Sequence, residues 1–378
     1  MSLQRIVSRR KRCIIGLLLI ISLTIFVYVT TISMSLELVS VVPKYVVFFP
    51  CSGNTSNTHQ QPEASILPKT VAIRKIKEIP RHISNGSEPV IPIMLWNNYL
   101  INNPDLCKMA DNISILILVK TNPLNFERRR IIRSTWTNKA YFQHMGVLRV
   151  LFLMGYAQNN TVQEKIYREF DEHLDILQGD FLDTYRNLTN KGVMGLRWIT
   201  ENCMQAKMVV KVDDDVVLDT YRLLEIVYPM YETKTRYILC NIFMGGKAPI
   251  VLDGKHKWYV KDSELKSIGL LDKTYYPPYC SGFTVILATD LIPAMFGVAH
   301  VTPFFWVDDV YLYGLLPLKV KGIDYISLSR NYTFSYKRAM NCFRGKQPCH
   351  VLSIGETKMH EMRPMWNMIQ SYHSKHTS

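Results

Sequence analysis

Apolar positions along the chain fall into three regimes. The first is unbroken: from Cys13 to Leu36, CIIGLLLIISLTIFVYVTTISMSL carries no charged residue, and at about 1.5 Å of rise per residue a helix of that length spans a hydrocarbon core of roughly 30 Å. The second has no sustained period. Between Glu37 and Cys107, polar turn-rich stretches such as CSGNTSNTHQQPEAS alternate with basic ones, and proline recurs at positions 43, 50, 62, 68, 80, 89, 92 and 104. This is the pattern of a stem, whose last part, VIPIMLWNNYLI, is apolar enough to pack onto the domain C-terminal to it. The third regime switches between strand and helix periods. ISILILVKT (113–121) and LRVLFLMG (148–155) are apolar runs suited to buried strands, while NFERRRIIRSTW (125–136) and VQEKIYREFDEHL (162–174) read as helices. After a short strand, DILQGDF, residues Leu188, Gly192, Gly195, Leu196, Ile199 and Cys203 recur at helical spacing, and MVVKV (208–212) predicts a further strand. Strand, helix, strand, helix, strand predicts parallel connections and an α/β sheet with helices on both faces.

Charge then orients the chain. Arg5, Arg9, Arg10, Lys11 and Arg12 precede the apolar run and Glu37 follows it. The asymmetry makes residues 1–12 a cytoplasmic tail, 13–36 the signal anchor of a single-pass type II membrane protein, 37–107 a lumenal stem and 108–378 a lumenal domain. The run exceeds the core of a cleaved signal peptide, and no small-x-small cleavage site follows it. The five tail residues account for five of the net charge of +14; the remainder is spread along the chain without a basic patch on a nucleic-acid-binding motif, which excludes nucleic acid as a partner. Six N-x-[ST] sequons, at Asn54, Asn85, Asn112, Asn159, Asn187 and Asn331, agree with a lumenal body. So do the seven cysteines after the span: Cys51, Cys107, Cys203, Cys240, Cys280, Cys342 and Cys349. Seven is odd, so at least one thiol is free or pairs between chains, and no spacing among them suggests zinc. Cys342 and Cys349 are near enough in sequence to close a short loop. With 378 residues, 48% of them hydrophobic, the chain can bury a sizeable core, and it lacks the short alternating strands of a β-sandwich adhesion module.

The strand at 208–212 ends in Asp213, Asp214 and Asp215. Three adjacent carboxylates beside a core are costly unless a cation or a set of donors compensates them. Strand ends are where ligands bind in such sheets, and hard oxygen ligands suit magnesium or manganese, which complete their shells with water and substrate phosphates. A metal carrying a diphosphate, in the lumen that of a nucleotide-sugar, fits that position. A solvated acidic loop capping a helix is the alternative.

Six ordered segments carry a resemblance. RRRIIRSTW (128–136), FLMG (152–155), DILQGDFLDTYRNLTNKGVMGLRWITENC (175–203), KVDDDVVL (211–218), YPPYCSGF (276–283) and VDDVYLYGLL (307–316) resemble the β-1,3-glycosyltransferases, which include β-1,3-galactosyltransferases, β-1,3-N-acetylglucosaminyltransferases and, more distantly, the Fringe enzymes. The likeness runs over roughly residues 107–320, with a weaker echo at EMRPMW (361–366). It implies a GT-A-like nucleotide-sugar-binding domain with a mostly parallel central sheet, in a Golgi membrane enzyme.

The resemblance also implies roles. Arg128, Arg133 and Trp136 match the nucleotide side of the donor pocket. Asp213, Asp214 and Asp215 match the metal and donor motif: Asp215 as direct manganese ligand, Asp213 at the metal or the ribose, and Asp214 on the donor side. Asp309 matches the general base of inverting transfer, with Asp308 and the Cys280, Ser281, Gly282 loop on the acceptor side. Cys107 and Cys203 match a disulfide that the family often shows. Four residues depart from the family pattern, and the cysteine often found soon after the acidic pair is absent from YLYGLL. Asp308 stands where Glu is usual, Thr284 and Val285 replace a second glycine and an aromatic, and Gly355 stands where a histidine before the EM…W segment can complete the metal site. The implied reaction is metal-dependent, inverting transfer of a hexose, galactose first, from a UDP-sugar to the 3-hydroxyl of a glycan on protein or lipid. The alternatives are N-acetylglucosamine transfer, or an inactive relative that serves as a binding module or folding helper.

Overall fold

The computed structural model describes residues 98–108, 113–142, 147–230 and 233–376. The expected tail, apolar span and nearly all of the stem lie outside the described residues, as do Cys51 and the sequons at Asn54, Asn85 and Asn112. Among the described residues no helix is long and apolar enough to cross a membrane.

In chain order the first half runs β1 (Tyr99–Ile101), β2 (Ile113–Lys120), α1 (Phe126–Ser134), β3 (Val147–Tyr156), α2 (Asn160–His173), β4 (Ile176–Leu182), α3 (Leu188–Asn202), β5 (Met208–Asp213) and β6 (Val217–Leu218). The second half runs α4 (Thr220–Val227), β7 (Tyr237–Phe243), α5 (Asp262–Ser267), β8 (Tyr279–Ala288), α6 (Ile292–Ala299), α7 (Asp308–Val310), α8 (Leu316–Lys319), β9 (Asp324–Ser327), β10 (Tyr332–Thr333), α9 (Tyr336–Arg344), β11 (Ser353–Ile354) and α10 (Met359–His376). Between α7 and α8 the helix widens into a π turn over Tyr311–Leu315.

The apolar runs become central strands because both of their faces are covered. Leu116 and Leu118 of β2 pack with α3 and α6, whereas Ile115, Ile117 and Val119 pack with α1, α4 and α10. Alternate side chains of one strand thus enter two cores, as the two-residue period of a strand requires. The eight-stranded sheet has the order β1-β4-β3-β2-β5-β8-β7-β9. Its strand–helix–strand half, β4-β3-β2-β5, is parallel as expected. The sheet as a whole is mostly parallel: β7 and β9 pair parallel and run the same way as β5, and the two reversed strands are β1, antiparallel to β4 at the edge, and β8, antiparallel to both β5 and β7. The reason for the reversal of β8 is connectivity. The segment between β7 and β8 folds over the end of the sheet and brings the chain back beside its own strand, instead of crossing a face through a long helix.

Three disulfides brace this frame. Cys107 and Cys203 join the approach to β2 to the end of α3, Cys240 and Cys280 join β7 to β8, and Cys342 and Cys349 close the loop after α9. A small three-stranded sheet, β10-β11-β6, holds the C-terminal segment against the chain just past the aspartates.

Gly155 fixes the end of β3. A Cβ there would lie 2.5 Å from the Phe181 carbonyl oxygen and 2.9 Å from the Asp183 nitrogen, and the β3–β4 pairing slips register at this point. Its N–H donates to Asp183 Oδ2 at 2.7 Å, and Asp183 in turn holds the buried Lys191 ammonium at 2.9 Å. Backbone cannot yield as a flexible side-chain tip would, so Gly155→Ala is expected to cost about 1–3 kcal/mol of stability. Chemical denaturation of the full chain under non-reducing conditions checks this; an unchanged midpoint would show that the bulge accommodates a methyl group.

Candidate active site

The strand order reverses around β2: β3 lies to one side and β5 to the other. The crevice outside the carboxyl ends of these strands is where an α/β sheet binds ligands. In register across the β2–β5 pair stand Lys120 and Asp213. Lys120 and Lys211 both lie on the α3 side of the sheet, over a small cavity that they line with Leu118, Leu153, Leu312 and Tyr313. Their side chains are only 2% and 3% exposed, and lysine is almost never buried to that degree unless paired.

Each ammonium finds an acidic partner, one across the chain and one on its own strand. Lys120 Nζ pairs with Asp308 Oδ2. Lys211 Nζ donates to Asp213 Oδ1 at 2.7 Å and to the carbonyl of Gly282. The Gly282 N–H donates in turn to Asp309 Oδ2 at 2.8 Å. A Cβ on Gly282 would fall 1.7 Å from Asp309 Oδ1, so only glycine lets this carboxylate reach the β8 backbone. A π turn directly follows the aspartate pair, an irregularity that often marks functional sites. Gly314 in that turn lets the helix approach β8 closely, since a Cβ there would stand 2.9 Å from Tyr279 Cβ.

Electrostatics separates the two neighbouring carboxylates. Burial works against the charge of Asp308, yet Lys120 and then Lys211 hold it below the usual carboxylate range. Asp309 is pushed up to about 7, first by burial and then by the charge of Asp308, with the two lysines opposing. One carboxylate stays ionised while its neighbour gains basicity, the arrangement that assigns acid–base roles in many sites. Lys211 stays protonated: burial disfavours its charge, but Asp213 leads the carboxylates that hold it above its ordinary range. Across the crevice, Asp215 is pushed up to about 6 by burial and by the charges of Asp213 and Asp214, partly offset by Arg128.

The structure therefore gathers Asp213, Asp215, Arg128, Gly282, Asp308 and Asp309 around one crevice. The other residues singled out in the sequence lie elsewhere or face other ways. The Asp214 carboxylate turns into the β2–α1 loop, accepting from Thr121 Oγ1 at 2.6 Å and Asn125 Nδ2 at 2.7 Å. Arg128 donates to the carbonyls of Asp214 and Thr357 at 3.2 and 3.3 Å, which fixes the turn carrying Asp215. Arg133 is held by Asp175 at 2.7 Å and Glu169 at 2.6 Å, and Trp136 is fully buried in the core between α1 and α10. Cys280 is committed to Cys240, while Ser281 is half-buried in β8. At Gly355 a Cβ would stand 2.9 Å from the Phe334 ring, so an aromatic edge occupies the space a side chain would take. Of the described sequons, Asn159 is exposed and caps α2. The amide nitrogens of Asn187 and Asn331 donate to the carbonyls of Leu182 and His350. Sequence reasoning missed Lys120, Lys211 and Tyr313, although a lysine inside the apolar run MVVKV was itself a signal.

A mixed α/β sheet with an acidic triplet at its switch point and a tuned acidic pair beside it is the frame of a glycosyltransferase. The chain belongs to the β-1,3-glycosyltransferase family: residues 127–329, more than half of its length, match the sequence model described as Galactosyltransferase. It is 28% identical over 281 residues to mouse beta-1,3-galactosyltransferase 1, covering 72% of this chain and 78% of that one. It is 27% identical over 330 residues to mouse beta-1,3-galactosyltransferase 2, covering 86% and 73%. Over 224 residues it is 32% identical to a zebrafish lactosylceramide 1,3-N-acetyl-beta-D-glucosaminyltransferase A, covering 57% of this chain and 56% of that one.

Gly282→Ala tests the seat of Asp309. On the role that the resemblance implies for Asp309, it is expected to lower glycosyl transfer on the order of a hundredfold, the cost of misplacing a reacting group by about an ångström, with the melting temperature of the full chain little changed. Full activity in the variant would show that Asp309 does not depend on this contact.

Proposed function

We propose that the protein transfers galactose from UDP-galactose to the 3-hydroxyl of a glycan acceptor on protein or lipid, forming a β-1,3 linkage with inversion. The observation that carries this reading is the seat of Asp309. Its carboxylate is held by the Gly282 N–H, made basic by burial and by Asp308, and set near Asp213. Asp309 takes the proton of the acceptor hydroxyl as that oxygen attacks the anomeric carbon. The bond from this carbon to the UDP oxygen breaks on the opposite face, so an α-linked donor gives a β product. A single displacement needs no enzyme nucleophile.

The acidic turn suits a divalent cation such as manganese. Asp213 keeps one oxygen beyond its contact with Lys211, and Asp215 carries negative charge that its neighbours do not neutralise. No group of three or more His, Cys, Asp or Glu residues able to hold a metal occurs among the described residues. Two carboxylates with the rest of the shell given to water and diphosphate is nevertheless an ordinary arrangement for a hard ion. When bound there, the ion would neutralise charge developing on the departing UDP. Arg128 fixes the backbone of the turn, and Lys211 holds Asp213 in place. The apolar span at 13–36 and the three disulfides support a type II protein with its catalytic domain in the Golgi lumen. The zebrafish relative keeps N-acetylglucosamine as the second donor reading.

UDP release by the full chain, with UDP-galactose, UDP-N-acetylglucosamine and UDP-N-acetylgalactosamine against a glycan panel, tests the reading. Turnover of UDP-galactose is expected with manganese and is lost on chelation. Asp309→Asn should reduce it by about 10²–10⁴-fold. Silence with every donor from a folded, glycosylated chain would favour the role of an inactive binding partner. The pH profile gives a further check. Asp309 acts only when deprotonated, so with its pKa raised to about 7 kcat/KM should fall as pH drops through that region. A rate that stays flat well below that pH would exclude Asp309 as the base.

A further inference from the structure

A group of aromatic side chains lies beside the catalytic crevice and takes no part in the chemistry. Trp258, in the β7–β8 segment, is 52% exposed, and Tyr185, just past the end of β4, is 44% exposed. The indole Nε1 of Trp258 donates to the Tyr185 hydroxyl at 2.9 Å. The Tyr185 ring lies 6.1 Å from that of the buried Trp306. Cations fix the rings from the side: Lys257 Nζ stands 4.5 Å over Tyr185 and the Arg186 guanidinium 4.5 Å over Trp306. Glu264 of α5 accepts from Arg186 at 2.7 Å and from Trp306 Nε1 at 3.3 Å, tying three separate segments into one plate.

The plate is tied to the segment that carries Asp309. Trp306 precedes Asp309 by three residues, which bounds their Cα separation at roughly 11 Å. A second aromatic path runs from Phe305 to Tyr276 at 6.0 Å and on to Tyr279 at 6.0 Å, and Tyr279 is close enough to Asp309 to feel its charge. Thr189 anchors the same segment by donating to the Phe305 carbonyl at 2.7 Å.

We infer that Trp258 and Tyr185 form an acceptor subsite on which the sugar units behind the reacting hydroxyl stack. A pyranose offers a face of C–H groups and a rim of hydroxyls. Trp258 and Tyr185 offer flat apolar faces of low conformational cost, and Lys257, Arg186 and Glu264 offer donors and an acceptor at their edges. An indole and a phenol held together at the surface by an ordered set of partners form a patch rather than a singly exposed side chain, and the short chain distance from Trp306 to Asp309 points to the acceptor chain as its occupant. This assignment rests on the transferase reading above and extends it: the enzyme selects extended glycans over short ones.

The experiment reads binding without turnover. Frontal affinity chromatography on the immobilised full chain compares N-acetyllactosamine with its tetrasaccharide dimer. The wild type should hold the tetrasaccharide more tightly. Trp258→Ala should weaken it about tenfold, as loss of an exposed aromatic anchor does, while changing disaccharide affinity less than twofold. Trp258→Phe should recover most of the difference, and a melting curve confirms that each variant is folded. Equal retention of both glycans by the wild type, retention of neither, or an equal loss for both in Trp258→Ala would overturn the assignment. Unchanged glycan affinity together with altered sedimentation would give the plate to a second copy of the chain instead, and so also overturn it. UDP release on the disaccharide is measured alongside. Tight tetrasaccharide binding without any turnover would sink the transferase reading alone, and turnover without a length preference in binding would sink the subsite alone.

Discussion

Two ammonium groups lie almost wholly out of water at the carboxyl ends of β2 and β5, and the site is built around neutralising them. An unpaired charge at that depth costs far more than a single domain can spare. Lys120 and Lys211 therefore fix which groups must come near: Asp213 from the same strand as Lys211, Asp308 from the start of α7, and the Gly282 carbonyl from β8. These partners come from three stretches far apart in sequence. The pairing thus welds β5, which leads into the acidic triplet, to the antiparallel strand β8 and to the helix that carries Asp308 and Asp309.

Because the lysines hold Asp308 ionised, the carboxylate beside it cannot ionise cheaply, and Asp309 becomes basic. The Gly282 amide prevents the alternative outcome, in which Asp309 swings away to water. Small side-chain volume at position 282 and positive charge at 120 and 211 are thus parts of one device. The replacement of Glu by Asp at position 308 is compatible with it, since Lys120 Nζ reaches the shorter side chain. The departures at Thr284 and Val285 are buried in β8. Both pair with β5: the Thr284 hydroxyl meets Ser353 Oγ at 2.6 Å between the two sheets, while Val285 stands opposite Lys211 in the core on the α3 side.

The strand and helix alternation from residue 113 to 213 was legible because each element announces itself by local period, and the parallel order follows from the crossovers. The return of β8 beside β7 was not, since antiparallel pairing across a long intervening segment leaves no local mark. The Cys240–Cys280 bridge depends on that same pairing and was hidden with it. Within α1 the helical period decides which arginine faces which partner. Arg129 and Arg133, four residues apart, share the face that meets Glu169, while Arg128, about 100° round the axis, meets the turn before Asp215. A motif match alone cannot tell these faces apart. The aspartate triplet was legible as a demand for positive charge. Part of that demand is met within the protein: Lys211 pairs with Asp213 and Arg128 offsets Asp215, which leaves Asp215 the least compensated of the three.

That division of charge governs how the site responds to change. Asp309 owes its basicity to burial and to Asp308, Asp308 owes its charge to Lys120, and Lys211 is shared between Asp213 and the strand that seats Asp309. Groups coupled in this way titrate as a set and not one by one. Removing Lys120 would weaken the hold on the Asp308 charge, but it would also remove a cation that holds Asp309 down, so its two effects on Asp309 oppose one another. Removing Asp308 would relieve the repulsion that raises Asp309 but strand Lys120 without its partner. The two changes together leave neither an unpaired ammonium nor a crowding carboxylate, so their combined cost in stability is smaller than the sum of the separate ones. The basicity of Asp309 does not follow the same pattern, because removing Asp308 lowers it while removing Lys120 acts in both directions. Stability and the basicity of Asp309 therefore respond differently to change at this pair of residues.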